Sequence, residues 1–239
     1  MRRLVIGDIH GGYRSMIQCF ERAKFDKDND KLICVGDICD GWPETMKCVD
    51  ELLTLKNFVF VIGNHDKWAY DWAKHGEGDN MLWLKQGGEN TIKSYDSVNR
   101  DMPEEHLKFF ERSVLWHEED DILFVHGGID PWEPMEKQVA FNVMWDRNLL
   151  QLAWIKRHKI GHRILENTVN EKYKHVFIGH TTTYQYTEDG LPITACEVTD
   201  LDTGGGWEGK LTIMDLDTRE FWQSDTVDTL YPDEHGRRK

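Results

Sequence analysis

The stretch Leu4-Val5-Ile6-Gly7-Asp8-Ile9-His10-Gly11-Gly12 decides how the chain reads. Three apolar residues in succession fit a strand covered on both faces; the run stops at a glycine, and Asp8 and His10 follow at once. Gly11 and Gly12 then open a stretch, 12–24, with helical period. The same order recurs twice. Residues 31–35 run into Gly36-Asp37-Ile38-Cys39-Asp40 and on to 43–55, where Pro43 suits a helix's first turn. Residues 58–62 run into Gly63-Asn64-His65-Asp66 and then 68–74. This β-α-β-α-β-α alternation predicts a parallel sheet packed by helices.

Beyond Leu115 the strand-like runs are 122–125, 175–178, 193–198, 211–215 and 220–222, with helical stretches near 104–112 and 147–158. Residues 215–219 read as a hairpin connection. The expectation is a second, mostly antiparallel sheet facing the first, hence an α/β (α+β) two-sheet sandwich flanked by helices. Glycine-rich loops are expected at 76–91 and 198–209, and no period of 20–50 residues repeats. The chain therefore reads as one domain, 1–239, with 232–239 as a fraying tail.

Composition narrows the chemistry. In 239 residues, 43 Asp and Glu stand against 29 Lys and Arg, a formal charge of −14. Such a surface repels polyphosphate backbones and anionic membranes, so non-specific nucleic-acid binding and membrane binding are not expected. Phosphate chemistry would need fixed local cations such as metal ions. The apolar run before Asp8 is too short for a signal peptide or a span, and five cysteines, none in CxxC spacing, suit reduced thiols. A cytoplasmic location follows as the expectation.

Five apolar runs each stop at residues of metal-ligand type: Asp8 and His10; Asp37 and Asp40; Asn64, His65 and Asp66; His126 after Ile122–Val125; His180 after His175–Ile178. Any one of these, alone, reads as a turn former or helix cap. Five together suggest convergence on a crevice beyond the carboxyl ends of the strands. His75, His106, His117, His158, His162 and His175 fit no such pattern.

In order and spacing, Gly7-Asp8-Ile9-His10-Gly11, Gly36-Asp37-Ile38-Cys39-Asp40, Gly63-Asn64-His65-Asp66, His126-Gly127-Gly128 and Gly179-His180 resemble the motifs of calcineurin-like metallophosphoesterases. The nearest variants are the phage and bacterial Ser/Thr protein phosphatases, and the chain is also similar to symmetric diadenosine tetraphosphate hydrolases. The resemblance implies a dinuclear site: Asp8, His10 and Asp37 on one divalent ion, and Asp37, Asn64, His126 and His180 on the other, with Asp37 bridging. The donor set favours Mn²⁺, with Fe or Zn²⁺ as alternatives. It further implies in-line attack on a phosphate ester by a metal-bridging hydroxide, with His65 as leaving-group acid and Asp40 holding its ring charged and oriented. Asp66, where many relatives carry Glu, reads as a helix-start or supporting residue.

Substrate binding is where the pattern departs. Relatives carry an arginine after the second motif's aspartate and often another before Gly-Asn-His; here Gly41 and Ile62 stand at those positions. Arg147, in Met144-Trp145-Asp146-Arg147, and Asn64 are the phosphate-binding residues carried over. Lys67, Arg14 or the amides at Gly11-Gly12 are the expected partial substitutes, and Trp42 the candidate stacking face for a nucleobase. The implied substrate is a phosphorylated protein or small molecule; the alternative is a nucleotide-directed hydrolase acting on diadenosine polyphosphates or diesters. An inactive binding scaffold fits poorly, because every family ligand position is filled.

Overall fold

The computed structural model describes residues 1–76, 80–95, 102–157 and 169–237; His158 and His162 lie outside them. β1 (Arg3–Ile6), β2 (Lys31–Cys34) and β3 (Phe58–Phe60) pair in parallel, with Val5 opposite Ile33 and Ile33 opposite Val59. The run Leu4-Val5-Ile6 is buried throughout because each face has its own partner layer. Leu4, Ile6, Leu32 and Cys34 pack under the helices, while Val5, Ile33 and Val35 point the other way, against a second sheet. α1 (Tyr13–Ala23), α2 (Thr45–Leu53), α3 (Asn64–His75) and α6 (Glu104–Glu111) supply the helical layer.

The second sheet runs β4 (Trp116–Glu119), β5 (Ile122–Val125), β6 (His175–Ile178), β8 (Val198–Asp200), β7 (Ile193–Ala195). Period-2 alternation again sorts its residues. Ile122, Phe124 and Phe177 meet the first sheet, whereas Leu123, Val125, Val176 and Ile178 face α7 (Ala140–Trp145) and α8 (Asn148–Arg157). Phe124 and Phe177 stack at 5.4 Å between the sheets.

Several expectations are corrected. The second sheet is mixed: β5, β6 and β8 are parallel, and only β4 and β7 run against their neighbours. The hairpin β9 (Thr212–Asp215)–β10 (Phe221–Gln223) belongs to the first sheet, where β9 pairs antiparallel with β1, Leu4 opposite Asp215. Residues 193–198 are two strands, because Cys196 takes a left-handed φ of 52° and turns the chain. β4 escapes a reading of apolar runs because His117, Glu118 and Glu119 are polar.

Two stretches read as loop or tail make contacts with the rest of the domain. Within 76–91, α4 (Met81–Trp83) and the start of α5 (Glu89–Ser94) are helical, joined by a kink where Gly87 takes φ 106°, and fully buried Trp83 anchors the stretch to the core. After α9 (Val227–Leu230), Tyr231 stacks on Trp42 at 5.1 Å, and the Arg237 N–H donates to the Gly206 carbonyl at 3.1 Å. Within the described part of 232–239, Gly236 is buried while 232–235 are exposed.

Candidate metal centre

Three of the parallel strands, β1, β2 and β6, end in loops whose backbone is bent out of the ordinary regions. His10, Asp37, Asp40 and His180 all take left-handed φ, between 49° and 71°. A non-glycine residue pays conformational energy to sit there, and clustering of such residues marks functional loops. Asp66 holds one of these loops in place. Its buried carboxylate accepts N–H bonds from Asp37, Ile38, Cys39 and Gly63 at 2.7–3.1 Å, tying the start of α3 to the end of β2. The supporting role read for it is the one it occupies.

The loops bring Asp8, His10 and Asp37 together, and Asp37 with His126 and His180: within each set one ligand atom per residue lies within 4.8 Å of the others. All five residues are buried, and Asp37 belongs to both sets. Asn64 joins them, its Oδ1 3.1 Å from His126 Nε2. Backbone carbonyls aim the rings. His126 Nδ1 donates to Val35 O at 2.7 Å and His10 Nδ1 to Cys39 O at 2.9 Å, which turns both Nε2 atoms toward Asp37, at 3.3 and 3.7 Å.

Without a cation this cluster is poorly satisfied. Asp8 Oδ1 and His180 Nε2 are buried with no hydrogen-bond partner. Burial, with Asp202 and Asp37 nearby, pushes the Asp8 carboxyl well up, and Asp200 and Asp202 are pushed up as well. Burial also pushes His180 down to about 2 and His10 well down. Asp37 is the exception: burial alone would raise it, but His126, His65 and His10 outweigh that and hold it well below the usual carboxylate range. Hard oxygens and imidazoles around orphaned buried acceptors suit divalent ions, since buried charge needs a partner.

His65 lies beside this cluster, its ring 5.1 Å from that of His10, and its Nδ1 is 2.7 Å from Asp40 Oδ2. Trp83 Nε1 and Thr91 Oγ1 also donate to Asp40, each at 2.7 Å. The pairing expected between the two residues is present in the geometry. Burial pushes the His65 ring down to about 3 despite Asp37, and pushes Asp40 well up despite Thr91 and Trp83.

The expected phosphate-binding residues are scattered. Arg147 is exposed but near enough for its charge to lower His65 and His180. Lys67 is engaged by Asp71, and Arg14 donates to Leu230 O, pairs with Glu44 and lies over the Tyr231 ring. Trp42 is 1% exposed, with its Nε1 donating to Gly205 O at 2.7 Å, so it offers no face to a nucleobase. Arg237, absent from the sequence reading, reaches the centre instead: its Nη1 lies 3.3 Å from His10 Nε2. No local motif marks it, because it arrives 227 residues along the chain from His10.

The chain is similar to known proteins over most of its length. The model of the calcineurin-like phosphoesterase family matches residues 1–207. Serine/threonine-protein phosphatase 1 of Salmonella typhimurium is 34% identical over 85 residues, 36% of this chain and 38% of that protein. The symmetrical bis(5'-nucleosyl)-tetraphosphatase of Methylobacillus flagellatus is 32% identical over 133 residues, 55% of this chain and 44% of that one. The matches thus span less than half the length of either relative. Among solved structures, a Saccharomyces cerevisiae protein serine/threonine phosphatase superposes with TM-score 0.62 at 15% identity, covering 100% of this chain and 84% of that one. A metallophosphoesterase from Sphaerobacter thermophilus gives TM-score 0.55 at 19% identity, covering 95% and 88%. The motif order, the two mixed sheets and the matched length lead to one assignment: the chain belongs to the calcineurin-like phosphoesterase family.

Proposed function

We propose that the chain is a two-metal phosphoesterase. The observation that carries this is two buried ligand clusters meeting on one shared carboxylate, Asp37. Asp8, His10 and Asp37 would hold one divalent ion, and Asp37, Asn64, His126 and His180 the other. Mn²⁺ fits the mixed oxygen and imidazole donors, with Fe or Zn²⁺ as alternatives; thiolate takes no part in either cluster. Bound there, such ions supply Lewis acidity that activates water and neutralises phosphoryl charge.

The chain's own groups do the rest. His65, oriented by Asp40 through Nδ1, delivers a proton from Nε2 to the departing alkoxide. Asn64, with Oδ1 beside His126, keeps its amide N–H₂ for a phosphoryl oxygen. Arg147 adds positive potential from the rim. Phosphorylated protein or small-molecule substrates are the first reading. Nucleotides are the second, favoured by a cavity of about 480 Å³ lined by Thr182, Tyr184, Gly204 and Trp207, two of them partly exposed aromatics able to stack on a base. Among the described residues no helix is long and apolar enough to cross a membrane. Five free cysteines, four of them buried, support a reducing compartment such as the cytoplasm.

Hydrolysis of para-nitrophenyl phosphate and bis-para-nitrophenyl phosphate, before and after chelation and with Mn²⁺ restored, tests the reading. Metal-restored turnover of either ester is the expected result. No turnover with two ions bound per chain would sink it.

A further inference from the structure

Arg237 is held at the centre by a slot built for it. A Cβ at Gly41 would come 3.1 Å from Arg237 Cγ and 3.2 Å from His10 O, and one at Gly206 would come 2.9 Å from Arg237 Cδ and 2.8 Å from His10 Cγ. Two missing side chains thus make room for one long one. The slot is anchored by the Gly206 carbonyl on the Arg237 N–H, by Trp207 at 4.8 Å under the guanidinium, and by Gln86 Oε1, which accepts from Nη2 at 2.9 Å.

The partners are unusual for a chain with so many acids. No carboxylate of the described residues lies within ion-pair distance of Arg237; its side chain meets a neutral amide, an indole face and a ring nitrogen of His10. Its Nε is buried without a hydrogen-bond partner. His10 Nε2, the acceptor of Nη1, is also the ring's atom facing Asp8 and Asp37. A metal ion taken up on that nitrogen would remove the acceptor and leave Nη1 free, with its charge uncompensated and fixed beside the ion. Such a donor is poised for an anion with several oxygens.

We propose that Arg237 binds the phosphoryl group of the substrate, filling from the far end of the fold the position that Gly41 leaves open. This rests on the phosphoesterase reading above. A fixed guanidinium also answers the electrostatic problem of a chain with charge −14 handling anions, since it places positive charge where the phosphate must sit.

Calorimetric titration of inorganic phosphate into the Mn²⁺-loaded full chain, for wild type, Arg237→Gln and Arg237→Lys, tests it, alongside Mn²⁺ titration without phosphate. The glutamine variant should bind phosphate at least about tenfold more weakly and the lysine variant fall between, while Mn²⁺ stoichiometry stays the same and Mn²⁺ affinity does not fall. Equal phosphate affinity in all three would overturn the proposal. So would tighter Mn²⁺ binding by Arg237→Gln with phosphate affinity unchanged, which would make the guanidinium a competitor of the metal. If Arg237→Gln does not fold, Gln86→Ala, which only unties Nη2, should still weaken phosphate by a smaller factor, and no change there would count against the idea. Para-nitrophenyl phosphate turnover by wild type separates the two readings: an inactive wild type that binds phosphate through Arg237 would overturn the phosphoesterase reading alone.

Discussion

The Asp66 carboxylate accepts the backbone N–H of Asp37 at 2.7 Å, so the residue shared by both ligand clusters hangs from a side chain on α3. The same carboxylate serves three further N–H groups. Asp66→Asn should be worse than a loss of charge suggests, because whichever way the amide turns, its N–H₂ meets backbone donors. We expect a loss of about 2–4 kcal/mol in stability by chemical denaturation, the range for stranding one or two buried donors. Metal content should fall with it, since the Asp37 loop loses its tether.

Asp37→Asn probes the shared ligand directly. Elemental analysis should find at least one ion per chain missing and turnover reduced by a thousandfold or more, roughly the loss of several kcal/mol of barrier stabilisation. Retention of both ions with near-normal turnover would contradict the assignment of Asp37 as bridge.

His65→Asn should separate leaving groups. An alkyl phosphate needs the proton and should slow by about 10²–10⁴-fold, the usual span for general acid catalysis, whereas nitrophenolate departs without one and should be spared. Equal losses on both esters would assign His65 to ordering Asn64 and the metals.

Gly41→Arg, the obvious route to a family-like arginine, should fail. Gly41 sits at φ 114°, a region L side chains rarely adopt, and its side chain would enter the slot of Arg237. The variant should unfold at lower temperature, by an amount equivalent to about 1–3 kcal/mol, and should not gain preference for monoesters over diesters.

A pH test lies away from the centre. Glu119, on β4, pairs with Arg3 of β1 and Lys31 of β2, clamping the two sheets. Burial alone would raise its carboxyl, but Lys31, His117 and Arg3 outweigh that and hold it down at about 2. A depressed carboxyl stabilises the fold at pH above its unfolded value, near 4.5, and the contribution is lost as pH falls from there through about 2. Glu119→Gln should therefore cost about 1 kcal/mol at pH 7, by urea denaturation, and almost nothing below about pH 2.

Much of the centre was legible because its ligands follow strands. Asp8, Asp37, Asn64, His126 and His180 each come within three residues of a buried run, and strand direction then decides where they meet. What could not be read locally is what arrives from elsewhere: Trp83 and Thr91 against Asp40, and Arg237 against His10. The β9–β10 hairpin illustrates the same limit. Its alternation marks it as strand, but nothing within residues 211–223 says that its partner is β1 rather than a neighbour in sequence.

The pairing of β1 with β9 has a consequence for how the protein comes into being. Leu4 must wait for Asp215, so the first strand made acquires its second neighbour only when nearly the whole chain has left the ribosome. A nascent chain halted near residue 205 would already carry every candidate ligand, yet it would present β1 as a bare apolar edge. Such an edge invites pairing with other chains. Completion of the hairpin is therefore the event that closes this window, and release of a soluble product should track synthesis of residues 212–223 rather than of the last ligand.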